Sequence, residues 1–123
     1  MPLGEVQRKE AGLMEVSSSV ADGAVVVTVA GEVDLYTSPK LRHEIVHWAQ
    51  KETPSLVVDL GSVTYMDSSG IATLVEGLQL TRTYGGALII ARPGPSIREV
   101  LGFAHLDKVF PIFDSIEEAV EEQ

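Results

Sequence analysis

Two short and almost uninterrupted apolar runs constrain the fold of this chain more than any other feature of its sequence. Residues 55–60 read SLVVDL, and residues 87–91 read ALIIA. Runs of this kind are typical of strands that other elements cover on both faces, as in a parallel sheet. The segment between them has the apolar spacing of a helix that packs one face inward, at Ile71, Leu74, Val75 and Leu78. The sequence therefore predicts a strand–helix–strand unit with a right-handed connection.

The residues before this unit predict a β-hairpin and a first helix. Residues 13–20 and 24–30 are strand-like, and Asp22-Gly23 between them tolerates the positive φ angles of a tight turn. The pair Ser38-Pro39 places a capping hydroxyl directly before a proline, which suits the first position of a helix. No helix breaker follows over residues 39–52, which we predict to be helical.

The remaining segments complete an alternation of strands and helices. The helix after the first buried run extends over residues 69–84, and a short helix follows at 96–102. Val109–Phe113 is a candidate edge strand, and Ser115 with Glu118 forms a capping box that opens a C-terminal helix. This alternation indicates an α/β fold. We predict a mixed, mostly parallel sheet of four to five strands with about four helices.

The length of the chain fits one domain. It has 123 residues, of which 45% are apolar, enough for a sizeable core. We expect that domain over residues 13–121, after an N-terminal extension of residues 1–12. The extension contains no apolar run of signal-peptide length, and no run elsewhere approaches the ~18 residues that cross a bilayer. These observations predict a cytoplasmic protein.

The charge balance argues against several classes of partner. Nine Lys and Arg residues stand against 18 Asp and Glu residues, which gives a formal net charge of −9. Such an excess repels phosphate backbones and anionic lipid headgroups, so we expect no direct binding to nucleic acid or to a membrane. The chain contains no cysteine, which excludes a thiolate metal site and a cysteine nucleophile.

One short motif is typical of a metal-dependent hydrolase. His43-Glu44-x-x-His47 matches a pattern in which two imidazoles on one helix face hold zinc and the glutamate acts as a base. On a helix, however, the apolar residues Leu41 and Ile45 lie near the side opposite the two histidines. No third metal ligand is recognisable in the sequence. We therefore expect both histidines to face water, and we predict no bound metal or other cofactor.

A segment rich in small polar residues follows the first buried run. Residues 65–70 read YMDSSG and lead into the amphipathic helix, at the carboxyl end of a parallel strand. Binding groups of open α/β sheets gather at that edge, where helix N-termini present free N–H groups. Either Ser68 or Ser69 caps the helix, or one of them accepts a phosphate, which a helix N-terminus tolerates. A serine nucleophile is less favoured, because no G-x-S-x-G turn or placed His–Asp pair accompanies it.

Several motifs together resemble one protein family. They are Gly31-Glu32-Val33-Asp34 with Thr37, Leu41-Arg42, Val57-Val58-Asp59-Leu60, Met66-Asp67-Ser68-Ser69-Gly70-Ile71, and the ending from Gly102 to Ala119. These residues are similar to those of anti-sigma factor antagonists of the STAS family. The resemblance extends over about residues 13–121 and implies a single STAS-like domain.

The resemblance implies a phosphorylation-controlled partner switch rather than an enzyme. The unphosphorylated protein binds an anti-sigma factor that is also a serine kinase, and this frees a sigma factor. The kinase releases the antagonist by phosphorylating it, and a PP2C-type phosphatase restores it. By motif position the acceptor is Ser68, with Ser69 as the helix cap. The implied partner-binding residues are Asp34, Asp67, Ser68, Ser69 and Gly70.

Other interpretations of these residues stay open at this point. Asp34 is equally well explained as an ordinary turn aspartate. The domain is alternatively a STAS scaffold or ligand-sensing module that is never phosphorylated, and the metal-dependent hydrolase is a third and less favoured function. Tyr36 and Tyr65 flank the motifs and are candidates for setting the choice of partner.

Overall fold

The structure, a computed structural model, describes residues 14–121, which form a five-stranded mixed sheet with helices on both faces. The strands are Met14–Ala21 (β1), Ala24–Val33 (β2), Ser55–Met66 (β3), Ala87–Ala91 (β4) and Ile112–Phe113 (β5). They lie in the order β1-β2-β3-β4-β5, with β1 antiparallel to β2 and all other neighbours parallel. The predicted α/β class with a mostly parallel sheet is therefore confirmed. The proposed extension, residues 1–12, lies outside the described residues.

Helices cover the two faces of the sheet unequally. They are Ser38–Gln50 (α1), Ser68–Arg82 (α2), Pro95–Phe103 (α3) and Ile116–Glu121 (α4), with a 3-10 turn at Leu106–Lys108. Buried residues of α1, α2 and α3 join the larger core on one face, whereas α4 packs against a smaller cluster on the other. None of the helices within residues 14–121 is long and apolar enough to cross a membrane.

The predicted hairpin is confirmed, with a turn of two residues. Asp22 and Gly23 have φ angles of 50° and 84°, and Ala21 pairs with Ala24 across the turn. Two consecutive residues with positive φ define a turn whose twist matches that of the strands beside it. The Asp-Gly pair was therefore a sufficient signal for the local structure.

The start of α1 differs from the prediction. The helix begins at Ser38 and ends at Gln50, and its N-cap position is occupied by Thr37. The interpretation of Ser38 as the cap is wrong, because its backbone N–H donates to the carbonyl oxygen of Asp34 at 2.8 Å and draws it into the first turn. Thr37 makes no side-chain cap hydrogen bond to the helix, since its hydroxyl donates to the carbonyl oxygen of Glu32 at 2.8 Å.

Two strand lengths also differ from the prediction. β3 continues past Leu60 to Met66, because its backbone stays paired with β2 through the pair Val33 and Met66. Most side chains in this extension are exposed, so apolar content does not reveal it. The expected edge strand Val109–Phe113 is reduced to Ile112–Phe113, and the capping role of Ser115 is confirmed by a 3.1 Å hydrogen bond from the backbone N–H of Glu118.

A buried carboxylate in β3 forms a two-pronged ion pair. The side chain of Asp59 is 1% exposed, and Nε and Nη2 of Arg92 donate to its two oxygens at 2.9 Å each. The backbone N–H of Gly61 also donates to Asp59 Oδ1, at 3.0 Å. A Cβ atom on Gly61 would lie 2.5 Å from the Arg92 guanidinium carbon, so the glycine leaves room for the arginine. The pair connects β3 to the loop that follows β4.

Candidate functional site

The candidate site lies where β3 passes into α2. A single residue, Asp67, separates the strand from the helix. Its backbone N–H donates to the carbonyl oxygen of Val33 at 3.1 Å, and its Oδ1 accepts from the N–H of Ser69 at 2.8 Å. Asp67 is therefore the N-cap of α2, and the interpretation of Ser69 as the cap is wrong. The carboxylate reaches a free N–H two residues ahead, which a serine already inside the helix cannot do.

Ser68 is the first residue of α2, and its side chain is exposed. Its hydroxyl makes no hydrogen bond to any residue of the segment 14–121. Because Asp67 caps the helix, the Ser68 hydroxyl is not needed to stabilise the first turn. A phosphate at this position would sit at the positive end of the helix dipole. The site therefore offers an accessible hydroxyl on a backbone that is already fixed.

Gly70 allows the first turn of α2 to lie directly on the ends of β2 and β3. A Cβ atom at this buried position would lie 2.6 Å from Met66 Cγ and 2.8 Å from Val33 Cγ1. Both distances are far below van der Waals contact, and neither atom is at the free end of a flexible chain. Gly70 thus sets how closely the serine-bearing turn approaches the sheet.

Gly70→Ala is expected to lower the free energy of unfolding by about 1–3 kcal/mol, because the new methyl group overpacks the junction. Gly102→Ala is the matched control, since its Cβ atom would meet nothing closer than 3.9 Å in the last turns of α3. There alanine should stabilise the helix by up to about 1 kcal/mol. Chemical denaturation of the three proteins measures the difference. Equal stability of both variants would contradict the close packing at Gly70.

Asp34 lies beside this site in a tight loop after β2. Its Oδ1 accepts hydrogen bonds from the backbone N–H groups of Tyr36 at 2.9 Å and Thr37 at 3.0 Å. These bonds, with that of Thr37 foremost, hold the pKa of the Asp34 carboxyl below its ordinary value. Because Val33 bonds to Asp67 and is followed directly by Asp34, the two loops lie side by side at the carboxyl edge. The hydrogen bonds of Asp34 are those of an ordinary turn aspartate. Its position also makes it a neighbour of the segment that carries Ser68.

The loop also presents two apolar side chains to solvent. Leu35 is 66% exposed and Tyr36 is 88% exposed. Tyr36 was singled out in the sequence as a residue that flanks the motifs, whereas Leu35 was missed. A single leucine in a polar context gives no pattern from which its exposure follows. Tyr65, the other flanking residue, is 50% exposed and pairs with Glu32 across β2 and β3.

The H-E-x-x-H motif has a structural explanation. His43 and His47 are both exposed, which confirms the expectation that they face water. The Glu44 carboxylate accepts hydrogen bonds from the Ser18 hydroxyl and, at 3.1 Å, from the Trp48 ring N–H. The Ser18 hydroxyl is the main cause that keeps the pKa of Glu44 below its ordinary value. Within residues 14–121 no group of three or more such side chains is arranged to hold a metal ion.

These observations define a single α/β domain with an accessible serine at the carboxyl edge of a mixed sheet. Residues 15–119 match the family described as the STAS domain, so the chain belongs to that family. Two of the motifs that carry the resemblance, residues 31–34 and 66–71, lie at the carboxyl ends of β2 and β3, where the two loops of the site begin.

Individual relatives agree with this assignment. The chain is 28% identical to an anti-sigma F factor antagonist of Paenibacillus polymyxa over 101 residues. This aligned segment covers 81% of this chain and 86% of the relative. The chain is 31% identical over 88 residues to an anti-sigma-B factor antagonist of Listeria monocytogenes, covering 72% and 67%. The crystal structure of an anti-sigma factor antagonist from Mycobacterium paratuberculosis superposes with a TM-score of 0.84 at 28% identity, over 91% of this chain and 95% of that one.

Proposed function

We propose that the protein is an anti-sigma factor antagonist that acts as a phosphorylation-controlled partner switch. The observation that carries the proposal is Ser68, an exposed serine at a helix N-terminus whose hydroxyl is not used by the fold. Membership of the STAS family and the names of the relatives support the choice of partner. The protein performs no catalysis itself and acts in the cytoplasm, where sigma factors meet RNA polymerase.

The unphosphorylated form binds an anti-sigma factor that is also a serine kinase. Asp34, Asp67, Ser68, Ser69 and Gly70 form the centre of the contact, because they lie together at the carboxyl edge of the sheet. Occupation of the anti-sigma factor frees the sigma factor. Bound in this way, Ser68 presents its hydroxyl to the kinase active site.

Phosphorylation ends the complex. The Ser68 oxygen forms a bond to the γ-phosphorus of ATP, the bond to the bridging oxygen breaks, ADP leaves, and the hydroxyl proton passes to a base of the kinase. The phosphate adds about −1.5 to −2 charges beside Asp67 and Asp34. A PP2C-type phosphatase hydrolyses the phosphoserine and returns the protein to its binding form. The fold keeps its shape throughout, because the new charge sits at a helix N-terminus.

The cognate kinase is expected to modify Ser68 and not Ser69. Labelled ATP and phosphopeptide mapping should show no incorporation into Ser68→Ala and undiminished stoichiometry in Ser69→Ala. The second variant is a fair control because Asp67 bonds to the backbone N–H of Ser69, not to its hydroxyl. Its hydroxyl can therefore be removed without removing the cap. Labelling that persists in Ser68→Ala and disappears in Ser69→Ala would contradict the assignment.

A further inference from the structure

Two adjacent apolar side chains in the loop after β2 are exposed without contributing to the core. Leu35 is 66% exposed and Tyr36 is 88% exposed. A lone exposed apolar residue is ordinary on a protein surface. Leu35 and Tyr36, however, are two large apolar residues side by side, and they lie at the edge of the sheet that carries Ser68. We name Leu35 and Tyr36 the anchor pair.

The loop that carries the anchor pair is held by hydrogen bonds at both ends. Asp34 Oδ1 accepts from the backbone N–H of Tyr36, and the backbone N–H of Asp34 donates to the hydroxyl of Thr37 at 2.8 Å. The N–H of Ser38 closes the turn on the Asp34 carbonyl oxygen at 2.8 Å. The exposure is therefore a property of an ordered turn. A surface fixed before binding loses less conformational entropy when a partner covers it.

The anchor pair is continuous with the serine segment. The hydrogen bond from Asp67 to Val33 and the pairing of Val33 with Met66 place the two loops next to each other. Asp34 Oδ2 makes no hydrogen bond to any residue that the structure describes, so one carboxylate oxygen stays free beside the apolar pair. The surface thus combines apolar area, one open acceptor and the Ser68 hydroxyl.

We propose, on the basis of the proposed function, that the anchor pair is the apolar contact with which this protein docks on its anti-sigma factor. The matching partner surface is an apolar pocket with a cationic or N–H donor group at its rim, which faces Asp34. Large aromatic side chains that fill such pockets carry a disproportionate share of binding energy. The net charge of −9 makes a basic rim on the partner the complementary choice.

This contact gives the phosphoserine its effect. A partner that covers the anchor pair also covers the adjoining Ser68, so a phosphate there must lose its hydration. The phosphate would have Asp34 and Asp67 as neighbours, and the two adjoining segments 34–37 and 65–70 contain no Lys or Arg to pair with it. Docking positions Ser68 for the kinase, but the phosphorylated product cannot stay docked, because the complex would bury an unpaired charge.

The test is a calorimetric titration of the anti-sigma factor with Leu35→Ala and Tyr36→Ala. Each variant should bind at least about tenfold more weakly than the wild type, and Tyr36→Phe should bind as the wild type does. Phe103→Ala and Val20→Ala are matched controls, because these side chains are 79% and 70% exposed and lie outside the carboxyl edge. Val20 pairs with Val25 beside the Asp22-Gly23 turn, at the opposite end of β2 from Asp34, and Phe103 is the last residue of α3.

The outcomes separate the two proposals. Weaker binding by the anchor variants, with unchanged controls and unchanged melting temperatures, supports the anchor pair. Wild-type affinity in Leu35→Ala and Tyr36→Ala overturns it and leaves the partner switch standing. A wild-type protein that does not bind the anti-sigma factor at all overturns the proposed function instead.

Discussion

Arg92→Met is expected to lower the free energy of unfolding by about 3 kcal/mol. The Asp59 side chain is 1% exposed and receives two hydrogen bonds of 2.9 Å from the guanidinium. Without them the buried carboxylate keeps only the N–H of Gly61 as a donor. Methionine keeps an aliphatic side chain of similar length and removes the charge. The decrease in the free energy of unfolding therefore measures the cost of leaving the buried Asp59 carboxylate without its cation. Chemical denaturation at neutral pH measures it.

Arg98→Met provides the matched control for that prediction. Arg98 pairs with Asp114 at the same distance of 2.9 Å, but the two side chains are 46% and 89% exposed. Water solvates both groups when the pair is broken, so the expected loss is below about 1 kcal/mol. An equal loss in the two variants would show that the burial of Asp59 does not determine the energy of its ion pair.

Ser68→Asp is expected to weaken binding to the anti-sigma factor by about a hundredfold or more. A charge buried without a partner at an interface costs several kcal/mol, and 1.4 kcal/mol corresponds to a factor of ten. The melting temperature should stay close to the wild-type value, because the carboxylate is exposed at the N-terminus of α2. Calorimetric titration and a thermal melt of the same sample give the two quantities.

A second acidic variant separates local charge from net charge. Ser19→Asp adds the same charge at an exposed position of β1, opposite Val26 of β2 and away from the carboxyl edge. It should bind the anti-sigma factor within about threefold of the wild type, the range of a remote screened charge. If both variants lost affinity equally, general repulsion would explain the effect and the role of Ser68 would be contradicted.

Much of the fold was predictable because its signals are local. The buried runs at 55–60 and 87–91 lie in β3 and β4, and the Asp-Gly pair forms the turn between β1 and β2. The outer half of β3 was not predictable, because its pairing with β2 is made by backbone groups while most of its side chains face water. Strand pairing over distance leaves little trace in the composition of such a segment.

The position of the candidate site could be predicted from the sequence, but not which of its residues caps the helix. The sequence placed Ser68 in the segment between the buried strand and the amphipathic helix, and the structure has it just after β3, as the first residue of α2. It gave the cap to Ser69, although a carboxylate just before the helix outcompetes a hydroxyl inside it. The bond from Asp67 to Val33 joins residues far apart in the chain. Spacing along the sequence therefore does not show that the Asp34 loop adjoins the serine; before the structure, only the family resemblance implied it.

The most direct test of the partner switch compares the unphosphorylated protein with the phosphorylated form that the proposal requires. The anti-sigma factor is titrated calorimetrically with unphosphorylated protein and with protein that its kinase has fully phosphorylated, and both forms are melted in the same buffer. We predict tight binding by the first form, binding weaker by about a hundredfold or more by the second, and closely similar melting temperatures. Equal affinity of the two forms, or a phosphorylated form that is unfolded, would contradict the account.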